Sequence, residues 1–116
     1  MKAAIPLDEN KQDVCPTFGR APYFMLWEDG EEQVLPNPAA DTQGGAGLQA
    51  AQFIADQGVS TLVTPRCGQN AAEVFNAAGI AIYKSQGSDA RENMQALQAG
   101  KLDKLTHFHG GYQGIR

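Results

Sequence analysis

The stretch Val59–Lys84, VSTLVTPRCGQNAAEVFNAAGIAIYK, decides the fold. It opens on a β-branched strand ending at Thr64, turns through Pro65-Arg66-Cys67-Gly68, and then changes period. Ala71, Val74, Phe75 and Ala78 recur at i, i+3, i+4 and i+7, the spacing of one apolar helical face. Gly79 stops that helix, and Ile80–Tyr83 resumes an apolar strand. Strand, helix, strand in so short a stretch implies a parallel pair joined by a right-handed crossover.

The pattern extends outward in both directions. Upstream, Gly44-Gly45-Ala46-Gly47 precedes LQAAQFIADQ, residues 48–57, where Leu48, Ala51, Ile54 and Ala55 share a helical face and Gly58 ends the helix. Downstream, Ser88 is placed to cap a third helix with the stripe Ala90, Met94, Leu97, closed by Gly100. The N-terminal part reads as strands. Ala3–Leu7 is one, with Pro6 expected near its end because proline cannot donate to a ladder. Tyr23–Trp27 is another; Asp29-Gly30 is a hairpin signal, and Gln33–Leu35 returns before Pro36-Asn37-Pro38. The expected order β-β-β-α-β-α-β-α gives an α/β fold with a mixed five-stranded sheet and three helices.

Composition narrows the function. The 116 residues suit one domain. Nine Lys+Arg against thirteen Asp+Glu give a net charge of −4, the wrong sign for a nucleic-acid footprint. No apolar run approaches the roughly 20 residues of a membrane span, and MKAAIPLDEN is not a signal peptide, so a cytoplasmic protein with no membrane partner is expected. Cys15 and Cys67 are too few for a disulfide framework and read as free thiols. The chain has no GxSxG elbow, Walker loop, CxxC pair or HExxH helix. The glycine run 44–47 follows a polar loop rather than a strand, so it is not a dinucleotide fingerprint. Tyr23–Trp27 reads as core strand, not a base-stacking platform.

Ligands of open α/β sheets bind beyond the carboxyl ends of the parallel strands. Three segments are expected there if the first strand is central and parallel to the last two: Asp8 with the loop carrying Cys15, the turn Thr64–Gly68, and Lys84–Gly87. Gly45, Ala46 and Gly47 open the first helix and Gly68 the second. Helix N-termini carry unpaired N–H groups and about half a positive charge. That rim is expected to hold an anion, with Arg20 and Arg66 as added cations. Cys67, beside a helix start and an arginine, is expected to have a lowered pKa and to serve as a metal ligand or nucleophile. The plainer alternative is a small residue packed under the turn. Cys15 is a second candidate ligand, or a half-buried thiol without a role. His107 and His109, if extended, project to one side as metal ligands would. Against that, Gly-rich chain ends are usually solvated, and residues 103–116 are expected to form a flexible tail.

Ala4-Ile5-Pro6-Leu7-Asp8-Glu9-Asn10, Phe18-Gly19-Arg20-Ala21-Pro22-Tyr23-Phe24, Gly45-Ala46-Gly47 leading into Gln49-Ala50-Ala51, and Gly68-Gln69-Asn70-Ala71 resemble the dinitrogenase iron-molybdenum cofactor biosynthesis family. That family includes NifX-like proteins, the carboxy-terminal domain of NifB-type proteins and molybdenum-copper orange proteins. The resemblance runs over residues 1–102, in four short motifs in the right order. It implies a ribonuclease-H-like fold and a non-enzymatic carrier or scaffold for an anionic metal-sulfur cluster of molybdenum, iron or copper. A cofactor-assembly or redox protein is the implied partner. Many relatives carry His just before Phe-Gly-Arg, and some before the Gly-rich helix start. Here Thr17 and Gln43 stand in those places, leaving Cys15 and Cys67 as substitutes.

Two rival readings stay open at this level. One is an interaction module with no ligand of its own, which predicts an exposed apolar patch. The other is a magnesium-dependent hydrolase built on Asp8, Glu9 and Asp13, which needs further carboxylates converging on Asp8, with Glu73 and Asp89 as the nearest candidates.

Overall fold

The computed structural model describes residues 1–109. The strands are β1 (Lys2–Leu7), β2 (Tyr23–Glu28), β3 (Glu31–Pro36), β4 (Thr61–Thr64) and β5 (Ala81–Lys84). The helices are α1 (Ala46–Asp56), α2 (Gln69–Ala77) and α3 (Ala90–Gln98), and the chain order is the expected one. The sheet runs β3-β2-β1-β4-β5. β2 pairs antiparallel with both β1 and β3, whereas β1–β4 and β4–β5 are parallel, so β2 alone runs against the rest.

Period-two alternation sorts the strand side chains into two cores. Ala3, Ile5, Leu7, Met25, Trp27 and Val63 meet Ala90, Met94 and Leu97 of α3 on one face. Ala4, Phe24, Leu26 and Leu62 meet Ala50, Ala51 and Ile54 of α1 and Ala71, Ala72 and Phe75 of α2 on the other. The result is three layers, with α1 and α2 together on one side. Asp29 (φ 53) and Gly30 (φ 82) are both left-handed, as the twist of a two-residue hairpin requires. Pro6 lies opposite Phe24, past the two β1–β4 pairs, Ala3–Thr61 and Ala4–Leu62, where its missing N–H costs no parallel bond.

Three expectations are corrected. The α3 cap is Asp89 rather than Ser88: its carboxylate accepts the Glu92 N–H at 3.1 Å. Leu48 is 42% exposed, because the buried stripe of α1 is Ala46, Ala50, Ala51 and Ile54. Residues 103–109, expected to begin a flexible tail, are instead held to the fold, 103–105 beside β5 and His109 at the start of α2. The outer edge of β5 has free backbone groups, and this segment satisfies them: Lys84 N–H donates to Asp103 O (2.8 Å) and Leu105 N–H to Ile82 O (3.0 Å). Leu105 and Phe108 then pack on the α1/α2 core. The rest of the expected tail, 110–116, lies outside the described residues.

Candidate functional site

α1 runs antiparallel to the strand it precedes and α2 starts where β4 ends, so both N-termini arrive at the carboxyl edge of β1 and β4. Neither has a side-chain cap. The residue before α1 is Gly45 in a left-handed conformation (φ 71) and the residue before α2 is Gly68, and neither first turn contains an acid. By contrast α3, on the other face, carries both Asp89 and Glu92 at its start. The two positive helix ends on the α1/α2 face are therefore left open.

A cavity of about 590 Å³ lies at these ends. Its wall includes Arg20, Gly45, Ala46, Gly47, Arg66, Cys67, Gly68 and His109, eight of the ten residues expected at the site, with Thr17, Phe18 and Leu48 among the others. Among the described residues its wall includes no carboxylate, although the chain as a whole is acidic. Among the described residues the ion pair found joins Arg91 to Glu32, so Arg20 and Arg66, both exposed, keep their charge available.

Local packing explains how remote segments reach this wall. Phe18 plugs the loop carrying Arg20 into the core, with ring centroids 5.4 Å from Phe24 and 5.5 Å from Phe75. One residue on, Gly19 is pressed against α1: a Cβ there would lie 2.7 Å from Gly47 Cα and 2.8 Å from Gly47 N. Asn37 ties the same loop to the next, donating to Gly19 O (3.0 Å) and Ala21 O (2.9 Å) while accepting from Ala39 N–H (2.9 Å). The Arg20 guanidinium donates to Ala40 O at 3.3 Å. On the α2 side, Gln69 N–H donates to His109 O (2.9 Å). The His109 imidazole then sits over Gly68, where a Cβ would come within 3.2 Å of Cε1. Gly68 has an ordinary extended φ of −74, so glycine serves close approach there rather than backbone strain.

The sulfur chemistry differs from expectation. Cys67 lines the cavity but is only 1% exposed, and burial raises its thiol from 9.0 to about 11. Desolvation of the thiolate thus reverses the lowering expected from the helix end and the neighbouring arginine. A consequence is testable by alkaline unfolding. The unfolded chain releases this proton first, so stability falls as pH rises from about 9 toward 11. Cys67→Ala should flatten that part of the profile, measured as urea midpoint against pH; a profile identical to the parent's would contradict the assignment.

Cys15 stays out of the wall. It is 5% exposed within the same core, its Sγ 3.4 Å from Thr17 Oγ1 and 3.6 Å from Thr17 O. His107 lines an adjoining hollow instead, together with Arg66 and His109. Of the other segments expected at this rim, Lys84 lies in that hollow, while Ser85 and Gln86 turn back into the fold, bonded to Thr64 O and to the buried Asn93. The Asp8–Asp13 segment closes on itself: Asp8 N–H donates to Asp13 O, and Asn10 Oδ1 accepts from Gln12 and Asp13. No group of three or more His, Cys, Asp or Glu side chains able to hold a metal converges among the described residues. Asp8 does not gather the carboxylates that a two-metal hydrolase needs. No helix is long and apolar enough to cross a membrane among those residues.

Sequence reasoning overlooked Asn37, whose Pro-Asn-Pro setting reads only as a strand stop, and misplaced Leu48, whose apolar character points inward.

Comparison with solved structures places this architecture among known relatives. It is similar to the apo form of the orange protein from Desulfovibrio gigas, with TM-score 0.82 and 27% identity over 90% of this chain and 92% of that one. It is also similar to a NifB-like protein of the DUF35 family from Thermotoga, with TM-score 0.75 and 33% identity over 92% and 95%. A protein from Methanocaldococcus jannaschii, 20% identical with TM-score 0.72 over 92% and 96%, shares the fold. No curated protein matches the chain significantly. The model of the dinitrogenase iron-molybdenum cofactor family matches residues 1–100, taking in both uncapped helix starts and the Phe18–Arg20 loop. Sequence and fold therefore agree that this chain belongs to the dinitrogenase iron-molybdenum cofactor family.

Proposed function

We propose that the protein binds, stores or delivers a preformed anionic metal-sulfur cluster during metallocofactor assembly, without acting as an enzyme. The observation that carries this reading is the acid-free cavity between two uncapped helix starts, flanked by Arg20 and Arg66 and holding Cys67 and His109 in its wall. A sulfide-bridged cluster is a polyanion whose metals already have most of their ligands. It needs a cradle of N–H groups and guanidinium, and one or two protein donors at most. A bare metal ion would ask for three or four converging side chains, which the described residues do not supply. The apo orange protein among the structural neighbours is consistent with a ligand-accepting fold.

Within this reading Arg20, Arg66 and the amides around Gly45, Ala46, Gly47 and Gly68 hold charge, while Cys67 is the soft donor and His109 the second. Cys15 supports the floor, and His107 stands outside the cavity. Because the Cys67 thiol is protonated at neutral pH, ligation through Sγ releases a proton and strengthens as pH rises. The test is retention, after desalting, of tetrathiomolybdate loaded with Cu(I), whose copper has an open position for a thiolate. Cys67→Ser should retain it about tenfold less well at pH 8.5 (the loss of ~1.4 kcal/mol), with a smaller difference at pH 6.5. Equal retention by both proteins at both pH values would remove the thiolate from the account.

The reading as an interaction module without a ligand gains less support. Met1, Val34 and Leu48 are the exposed large apolar side chains among the described residues; Met1 precedes β1, Val34 lies on β3 and Leu48 on α1.

A further inference from the structure

Next to the cavity lies a second hollow of about 400 Å³, which the cluster-carrying role does not use. Arg66, Lys84, His107 and His109 surround it over a floor that includes Leu105 and Phe108. Among the described residues it contains no carboxylate, and Lys84 and His107 are exposed and in no ion pair. Leu105 and Phe108 are anchored by packing on the α1/α2 core, and the strand-like segment 103–105 is fixed to β5. Arg66 and His109 belong to both hollows, so whatever fills the second touches part of the wall of the first.

We infer that this hollow docks an acidic segment, bearing a leucine or phenylalanine, of the protein that gives or receives the guest. The inference rests on the carrier reading for the partner's purpose, but not for the binding itself. Three observations favour that occupant. The hollow is cationic on a chain of net charge −4, so complementarity is local and selects a short acidic stretch rather than an extended polyanion. The Leu105–Phe108 floor offers an apolar contact that an inorganic anion cannot use. Contact with Arg66 and His109 lets the docked segment compete for the groups that hold the guest, which couples docking to transfer.

The experiment titrates an acetylated, amidated heptapeptide, six glutamates around a central leucine, into ¹⁵N-labelled protein free of metal. Amide shifts should concentrate at Lys84, Leu105, His107 and Phe108. Lys84→Glu with His107→Glu should weaken binding at least tenfold, with the circular dichroism spectrum unchanged since both side chains are exposed. Tetrathiomolybdate retention by that variant should match the parent. Arg20→Glu, which faces the guest cavity alone, should leave peptide binding as it was. Three results would overturn the inference: shifts scattered outside this hollow, equal binding of the peptide with lysines for glutamates, or full displacement by an equal concentration of inorganic phosphate. Failure of tetrathiomolybdate retention in the parent protein, with peptide binding intact, would count against the carrier reading and leave the docking groove standing.

Discussion

Arg20→Glu combined with Arg66→Glu is expected to lower retention of a metal-sulfide anion by roughly a hundredfold. The two guanidinium groups flank a cavity whose wall, among the described residues, has no carboxylate, so each reversal replaces an attraction with a repulsion at the same place. A hydrogen bond to a charged group contributes ~1.5–3 kcal/mol, and losing two gives ~3 kcal/mol or more, the stated factor. Stability should change little. Arg66 is exposed with no ion-pair partner among the described residues, and Arg20 makes one exposed bond to Ala40 O. The measurement compares bound molybdenum per chain after desalting with the thermal midpoint of the same preparations. Loss of binding with an unchanged midpoint supports the cradle; full retention in the double variant would show that the arginines do not hold the guest.

The second large effect is on the architecture that aims Arg20. Gly19→Ala places a methyl group 2.7 Å from Gly47 Cα and 2.8 Å from Gly47 N, well inside van der Waals contact with backbone that cannot rotate away. Overpacking of this kind costs ~1–3 kcal/mol, which in a chain of this size lowers the thermal midpoint by roughly 4–12 °C. Relief requires the α1 start or the Arg20 loop to shift, and both line the cavity, so anion retention should fall as well. Gly47→Ala is the control across the same contact. A Cβ on Gly47 meets nothing within 4 Å, and alanine suits a helix better than glycine, so that variant should be as stable as the parent or more so by ~0.5 kcal/mol. A Gly19→Ala protein with the parent's midpoint would mean that loop and helix are not packed as described.

Much of this was legible in the residues because local rules and tertiary needs agreed. The 59–84 strand-helix-strand unit, the Asp29-Gly30 turn and the glycine stops at Gly58 and Gly79 act through short-range geometry, and the structure realises each of them. Helix starts at the carboxyl ends of the parallel strands were expected from the strand-helix-strand order, and Arg66, Cys67 and Gly68 reach a common wall there; Arg20 joins it through the packing of Phe18 and Gly19.

What stayed illegible depends on contacts between distant segments. Cys67 has the neighbours that lower a thiol pKa, but whether water reaches it is a tertiary matter, and burial sets the sign. His109 reads in sequence either as a metal ligand or as part of a solvated tail; its place over Gly68 comes from the bond of Gln69 N–H to its carbonyl, a contact 40 residues apart that no local pattern announces. Asn37 between two prolines carries no periodic signal, since its work is to bond the Gly19–Ala21 loop 16–18 residues away. Leu48 falls on the apolar face by spacing alone, yet alanines fill the buried side of α1 and leave it at the cavity mouth. Cys15 and Cys67 are equivalent as cysteines, and only the fold assigns one to the wall and the other to the packing beneath it.

The most direct test of the central claim is the metal and sulfide content of anaerobically purified protein, read with its visible spectrum before and after incubation with tetrathiomolybdate. The carrier account predicts sulfide-to-metal charge-transfer absorption that survives desalting, with metal bound in a fixed ratio to the chain. A colourless, metal-free protein after both treatments would contradict it.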